Sequence, residues 1–188
     1  MQVTKLAIPG AYVFEPKRFG DDRGFFSETY NQKVFDELLP DTNFVQDNHS
    51  LSRDVGVLRG LHFQTPPFDQ GKLVRVTRGK VLDVIVDIRV GSPTYGQHVA
   101  VELSADNWKQ LWAPPGMAHG FCTLEPDTEF LYKVTNFYAP DHDAGIAYDD
   151  PDLDIDWPVT PDTVIQSEKD KQLPKLKDFN SPFQFKEE

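Results

Sequence analysis

The chain has 188 residues, 39% of them apolar and 14 of them Phe, which suits one domain with a sizeable core rather than a disordered segment. With 19 Lys and Arg against 30 Asp and Glu, the net charge is −11; this argues against nucleic-acid or membrane-surface partners, and an anionic ligand needs a local group of cations. No run approaches the ~20 apolar residues of a membrane span, the opening MQVTKLAIPG lacks a basic-then-apolar secretory pattern, and the single Cys122 allows no internal disulfide, so a cytoplasmic protein is expected.

In chain order, a strand is expected in FFSETY. One short helix follows over Gln32 to Leu39, where Val34, Phe35, Leu38 and Leu39 share a side and Pro40 stops the run. Strand signals dominate from there on: FVQDNHSL, then RGLHFQ between SRDVG and TPPFDQ, then two β-rich runs read as a hairpin around Arg78-Gly79-Lys80. In the second run Leu82, Val84, Val86 and Ile88 alternate with Val81, Asp83, Ile85 and Asp87. HVAVEL, QLWAPP, HGFCTL and EFLYKVTNFY complete the set, and Cys122 reads as a small buried apolar residue. After Tyr138 the chain becomes acidic, Pro-rich and loop-like, with a short helix expected near Ser167. Short strands with turns every ~8–12 positions indicate a mainly β jelly roll, an antiparallel sandwich or barrel. The expected organisation is one domain over 1–188, with a core of about 20–140 and an irregular extension of about 141–188.

The RGLHFQ strand keeps a cation and an imidazole among apolar residues. Jelly rolls that bind a metal usually carry a His-x-His pair, a carboxylate soon after, and a distant third His. Here Gln64 replaces the second His, no Glu follows in the loop, and only His119 in PPGMAHGF stands as the distant ligand. Two imidazoles and an amide make a poor transition-metal set, which weighs against a metal-dependent oxygenase of this fold. His62 reads either as a satisfied core or surface histidine or as a general base; Arg59 and Lys72 nearby, which would keep it neutral, tilt the reading toward the base. Tyr132 and Tyr138, six apart on one strand face, either line the core or supply a phenolic proton donor across from His62. Ser167-x-x-Asp170 is a helix-start signature, and Asp170 gains a role only where a base needs an orienting carboxylate. Period 2 sends Arg59 and His62 to opposite faces, so a bulge at Gly60 is expected if both serve one site.

The stretches LRGLHFQTPPFDQGKLVRVTRGKVLDVIVDIRVGSPTYG, LWAPPGMAHGF and TEFLYKVTNFYAPDHDAGI resemble the dTDP-4-dehydrorhamnose 3,5-epimerases, and the similarity runs from RGFFSE to SEKD. The resemblance implies a cupin-type jelly-roll homodimer, with neither metal nor organic cofactor, acting on dTDP-4-keto-6-deoxyglucose. It implies His62 as base oriented by Asp170, Tyr132 as acid on the opposite side of the sugar, Lys72 as the enolate's partner, and His119 lining the site. Arg59 matches a diphosphate-binding cation. Arg23, Glu28, Gln46, Asp47, Asn48, Tyr138, Asp143 and Lys169 match substrate-binding positions, some reaching across the dimer. Asp143 departs from the family, which usually has Glu there, so its reach is about one methylene shorter. A single-carbon epimerase or ketoisomerase of a related dTDP-sugar is the nearest rival, and a non-enzymatic sugar-binding module a further one.

Overall fold

A computed structural model describes residues 1–186; positions 187 and 188 of the expected extension lie outside the described residues. The strands are β1 (Gln2–Lys5), β2 (Tyr12–Glu15), β3 (Arg18–Asp21), β4 (Gly24–Ser27), β5 (Gln46–Ser52), β6 (Leu58–Gln64), β7 (Lys72–Arg78), β8 (Lys80–Asp87), β9 (His98–Ser104), β10 (Gln110–Ala113), β11 (Met117–Thr123), β12 (Thr128–Val134) and β13 (Asp143–Gly145). One sheet runs β1-β2-β10-β7-β12-β5, the other β13-β6-β11-β8-β9, and β3-β4 is a separate ribbon. All the named strand pairs are antiparallel. Two facing antiparallel sheets make this a jelly-roll sandwich, as the strand pattern implied. β1 and β2 precede the expected core start but belong to the six-stranded sheet.

Between the sheets, Val74, Val76, Val81, Ile85, Leu103, Leu111, Phe121 and Phe130 form the central core. The outer face of the five-stranded sheet is also apolar, through Val84, Val86, Ile88 and Leu61. Ile146, Leu153, Trp157, Leu176 and Phe183 of the C-terminal extension cover it. This explains the double apolar alternation of β8: both faces are dry. The extension has little regular structure, yet it is a second wall of the core. It adds β13 to the β6 edge and later runs beside Val57 through Ile165.

Several local expectations are corrected. The runs flanking Gly79 do not form a hairpin: β7 lies in the six-stranded sheet and β8 in the five-stranded one. Gly79, at φ +75, turns the chain from one sheet to the other, because each run needs partners for a strand buried on both faces. The helix is shorter than expected, Gln32–Asp36, capped by Asn31, whose side chain accepts from the Lys33 N–H. Phe35 is buried, but Leu38 is exposed. Near Ser167 there is only a 3₁₀ turn, Asp170–Gln172. The strand expected through Tyr138 stops at Val134, so Tyr132 and Tyr138 do not share a strand face.

The irregularity expected at Gly60 is present. His62 pairs with His119 and Arg59 with Phe121, so the register shifts across Gly60. Two β11 steps face three on β6, which turns Arg59 and His62 to the same side. Gly60 sits at φ +126, and a Cβ there would lie 2.6 Å from Gly120 Cα and 2.7 Å from His119 O. Only glycine fits so close a backbone approach.

Candidate active site

The sandwich interior opens at one end into a cavity of about 620 Å³, lined from the five-stranded sheet by Arg59, His62 and His119 and from the six-stranded sheet by Lys72 and Tyr132. An adjoining hollow of about 330 Å³ continues past Gln46, Tyr138 and Asp143 and shares His62, Lys72 and Tyr132. The two imidazoles are direct cross-strand partners, and period 2 sends both inward.

Each imidazole is backed by a buried carboxylate. His62 Nε2 lies 2.8 Å from Asp170 Oδ1, and the other Asp170 oxygen accepts the Gly60 N–H at 3.3 Å. The Asp170 N–H in turn donates to Ser167 Oγ at 3.1 Å, so the expected Ser-x-x-Asp signature survives as the brace of that turn. Burial pushes the Asp170 carboxyl up, but the hydrogen bond and charge of His62, the Gly60 N–H and Ser167 together outweigh it and hold it low. An ionised carboxylate only accepts hydrogen bonds, so His62 carries its proton on Nε2 and keeps Nδ1 as the basic nitrogen. The second pair is His119 with Asp83: Nε2 lies 3.0 Å from both carboxylate oxygens, and Asp83 is fully buried.

The facing wall is set differently. Burial pushes the Lys72 ammonium down to about 8, against the opposing pull of Asp143 and Asp83. Its Nζ donates to the His62 carbonyl at 3.2 Å. Burial likewise raises the Tyr132 phenol, with Arg59 pulling the other way, so it stays protonated well above neutrality. At the rim, Lys169 Nζ is 2.5 Å from Asp143 Oδ2, which also accepts from Tyr138 Oη at 3.2 Å. The bridge to Asp143 raises the Lys169 ammonium. Asp143, the one-methylene-shorter departure, thus joins two binding candidates to each other.

Alternation splits the Gln46-Asp47-Asn48 triplet. Gln46 and Asn48 face the hollows, whereas Asp47 points outward, paired with Lys133 at 2.9 Å, and lines a separate 190 Å³ cleft on the outer face. Arg23 and Glu28 do not line the cavity of their own chain: Arg23 pairs with Asp21 in the β3-β4 ribbon, and Glu28 accepts from Asn31. Gln64, weighed as a metal ligand, spends its amide on backbone instead. Its Nε2 donates to Phe68 O and Phe137 O and its Oε1 accepts the Ala139 N–H, while Gln46 Oε1 accepts the Tyr138 N–H. The two glutamines pin the loop that carries Tyr138. Among the described residues no three His, Cys, Asp or Glu side chains cluster as metal ligands, and two imidazoles without a third such donor make a poor transition-metal set.

Reading the residues passed over Asp83 and Gln166. Asp83 was visible only as one of two acids alternating with apolar residues along the β8 run, with nothing to say which way that face turns or what it meets. Gln166 lines the cavity and its Nε2 is buried with no hydrogen-bond partner among the described residues, a donor left for a ligand.

Residues 5–178 match the family described as dTDP-4-dehydrorhamnose 3,5-epimerase. A relative of that name from Pseudomonas aeruginosa is 56% identical over 173 residues, 92% of this chain and 94% of the relative. Among solved structures, the dTDP-4-dehydrorhamnose 3,5-epimerase of Bacillus anthracis with TDP and PPi bound superposes with a TM-score of 0.89 at 50% identity, covering 93% of this chain and 98% of that one. The dTDP-6-deoxy-D-glucose-3,5-epimerase of Legionella pneumophila in complex with dTDP-4-keto-L-rhamnose gives 0.90 at 47% identity, covering 95% and 94%.

Proposed function

The chain belongs to the dTDP-4-dehydrorhamnose 3,5-epimerase family, and from that premise we propose how its residues carry out the reaction. The enzyme is an isomerase that inverts carbons 3 and 5 of dTDP-4-dehydro-6-deoxy-D-glucose to give dTDP-4-dehydro-L-rhamnose. Both carbons flank the C4 carbonyl, so their protons are already acidified. His62 Nδ1 takes one of them, and Asp170 stabilises the imidazolium that forms. The charge moves to the carbonyl oxygen as an enolate, held by the Lys72 ammonium. The Tyr132 hydroxyl returns a proton to the opposite face, which inverts the carbon. Repetition at the second carbon completes the reaction. No electrons leave the substrate, so these proton transfers need no hydride carrier or electron sink.

The observation that carries this reading is that an imidazole from one sheet and a phenol from the other line one cavity, with an ammonium beside them. Arg59 and Lys169 are the cations available to the pyrophosphate, which accounts for anion binding in an acidic protein. The test supplies the 4-keto dTDP-sugar in deuterated water and follows the isotope by NMR. Deuterium at carbons 3 and 5 with the L-rhamno product is expected; exchange confined to one carbon would instead indicate a single-carbon epimerase.

We further propose one jelly-roll domain working as a cytoplasmic homodimer. The β3-β4 ribbon exposes Phe19, Phe25 and Phe26 at 53%, 58% and 71%, an apolar surface of the kind that seeks a partner. The same ribbon holds Arg23 and Glu28 outside their own cavity, where they suit the partner's site. Phe26→Asp is expected to shift the particle mass to a monomer in light scattering and to raise KM. The buried single Cys122 suits a reducing compartment. No described helix is long and apolar enough to cross a membrane.

A further inference from the structure

Gln64 is a buried polar side chain that the reaction above leaves without a task. It stands two residues beyond His62 on β6, on the same inward face, and is 3% exposed, where a plain sandwich position would hold an aliphatic residue. Its amide is spent on backbone. Nε2 gives one N–H to Phe68 O at 2.6 Å and the other to Phe137 O at 3.1 Å, and Oε1 accepts the Ala139 N–H at 2.8 Å. A carbonyl only accepts and an N–H only donates, so the amide fits only this way round. Phe68 and Phe137 belong to different loops, 65–71 and 135–142, which are also tied to each other: Gln70 Nε2 donates to Asn136 O at 2.8 Å, and Asn136 Nδ2 to Pro67 O at 3.1 Å. From the other sheet, Gln46 Oε1 accepts the Tyr138 N–H at 3.1 Å. The chain at Tyr138 is thus held between two side-chain amides, one from each sheet, although Phe137 and Tyr138 are themselves exposed.

We propose that Gln64 is a positioning residue for the sugar: it locks the Tyr138 loop onto the strand that carries the base, and so fixes one wall of the space in which the hexose lies between His62 and Tyr132. The hollow of about 330 Å³ is lined by Gln64 and Tyr138 together with His62, Lys72 and Tyr132. Asp143, which accepts from Tyr138 Oη, is the β13 partner of Gln64 in the ladder. The two rim groups are therefore both referred to Gln64, Tyr138 through the loop and Asp143 through strand pairing. Inversion needs one carbon presented to the base on one face and to the phenol on the other, and a misplacement of about 1 Å costs about 10²-fold in such a geometry. Exposed loop backbone with few buried apolar contacts opens easily on its own, and the amide of Gln64 removes that freedom. Gln64 acts through Tyr138 and not on the reacting atoms. The inference rests on the reading of this cavity as the site of epimerisation.

Gln64→Met keeps the length of the side chain and removes all three hydrogen bonds. With the 4-keto dTDP-sugar, kcat/KM is expected to fall by about 10-fold or more. A smaller folded fraction would lower it too, so the cost of Tyr138→Ala is measured in both backgrounds, where the folded fraction cancels. In the wild-type background Tyr138→Ala is expected to cost about 10-fold. In the Gln64→Met background, where Tyr138 is already out of place, the same change is expected to cost less than about 2-fold, the non-additivity of residues that act as a unit. Equal factors in the two backgrounds are what a merely structural role gives, and they would overturn the proposal, as would a Tyr138→Ala that costs nothing in either. If Gln64→Met does not fold, amide exchange of the wild-type protein decides. The Tyr138 and Ala139 N–H groups are expected to exchange far more slowly than exposed amides of the same loop, and exchange at the free-peptide rate overturns the clamp. Wild-type enzyme that turns over no 4-keto dTDP-sugar would bring down the functional reading instead, and amide exchange would still test the clamp.

Discussion

The two walls of the cavity reach their chemistry by different physics. On the five-stranded wall each imidazole is oriented by its own carboxylate, Asp170 for His62 and Asp83 for His119. On the six-stranded wall burial is the largest influence on both Lys72 and Tyr132, lowering one and raising the other. One wall controls which nitrogen holds a proton; the other controls how tightly a proton is held. Directional hydrogen bonds suit a group that must accept a proton along one line. A low-dielectric setting suits groups whose charge matters only while an enolate exists beside them.

Breaking the first wall should cost most. His62→Ala removes the proposed base, and deuterium incorporation at both carbons should fall by about 10²–10⁴-fold, with nucleotide affinity largely kept; unchanged exchange would place the base elsewhere. On the second wall, Lys72→Met should cost about 10²–10³ in kcat, the range for losing one oxyanion partner, and should abolish the alkaline limb near pH 8. Tyr132→Phe should split two readouts: inversion drops by about 10²-fold, while solvent exchange at the carbon His62 attacks persists. Equal loss of both would assign Tyr132 a different role. The smallest effect is on stability. Gly60→Ala puts a methyl against Gly120 Cα at φ +126, at a cost of about 2–3 kcal/mol, read as a fall in Tm of several degrees.

Acid should loosen the first wall selectively. Asp170 has its carboxyl lowered on folding, after burial is outweighed by His62, Gly60 and Ser167. A lowered carboxylate pKa contributes stability that is present above the unfolded value, near 3.9, and is lost as pH falls through the folded value. Asp170→Asn should therefore flatten the acid limb of a denaturation curve, whereas a Tyr132→Phe protein should keep it.

Much of the first wall was readable along the chain. Strand alternation alone turns His62 and Gln64 one way and Leu61 and Phe63 the other, and the three-residue spacing of Arg59 and His62 called for an irregularity at Gly60 if both serve one site. The same rule explains where reading failed. Gln46, Asp47 and Asn48 looked like one group, but alternation sends Asp47 outward to Lys133. Tyr138 was placed on a strand that ends four residues earlier, because two glutamines far apart in sequence hold its loop out of the ladder. The Arg78-Gly79-Lys80 turn looked like a hairpin because a local turn signal does not say whether the chain folds back or crosses to another sheet.

By itself the sequence determined a mainly β sandwich, the shared strand face of Gly60, His62 and Gln64, and an irregularity at Gly60 wherever Arg59 and His62 serve one site. These follow from steric rules that act over two or three residues. Only the tertiary structure decided that Asp170 reaches His62 from 108 residues away, that Asp83 lies under His119, and that Lys72 faces both from the opposite sheet. Those pairings depend on which strands bury which faces together, and that choice is made by the whole core at once.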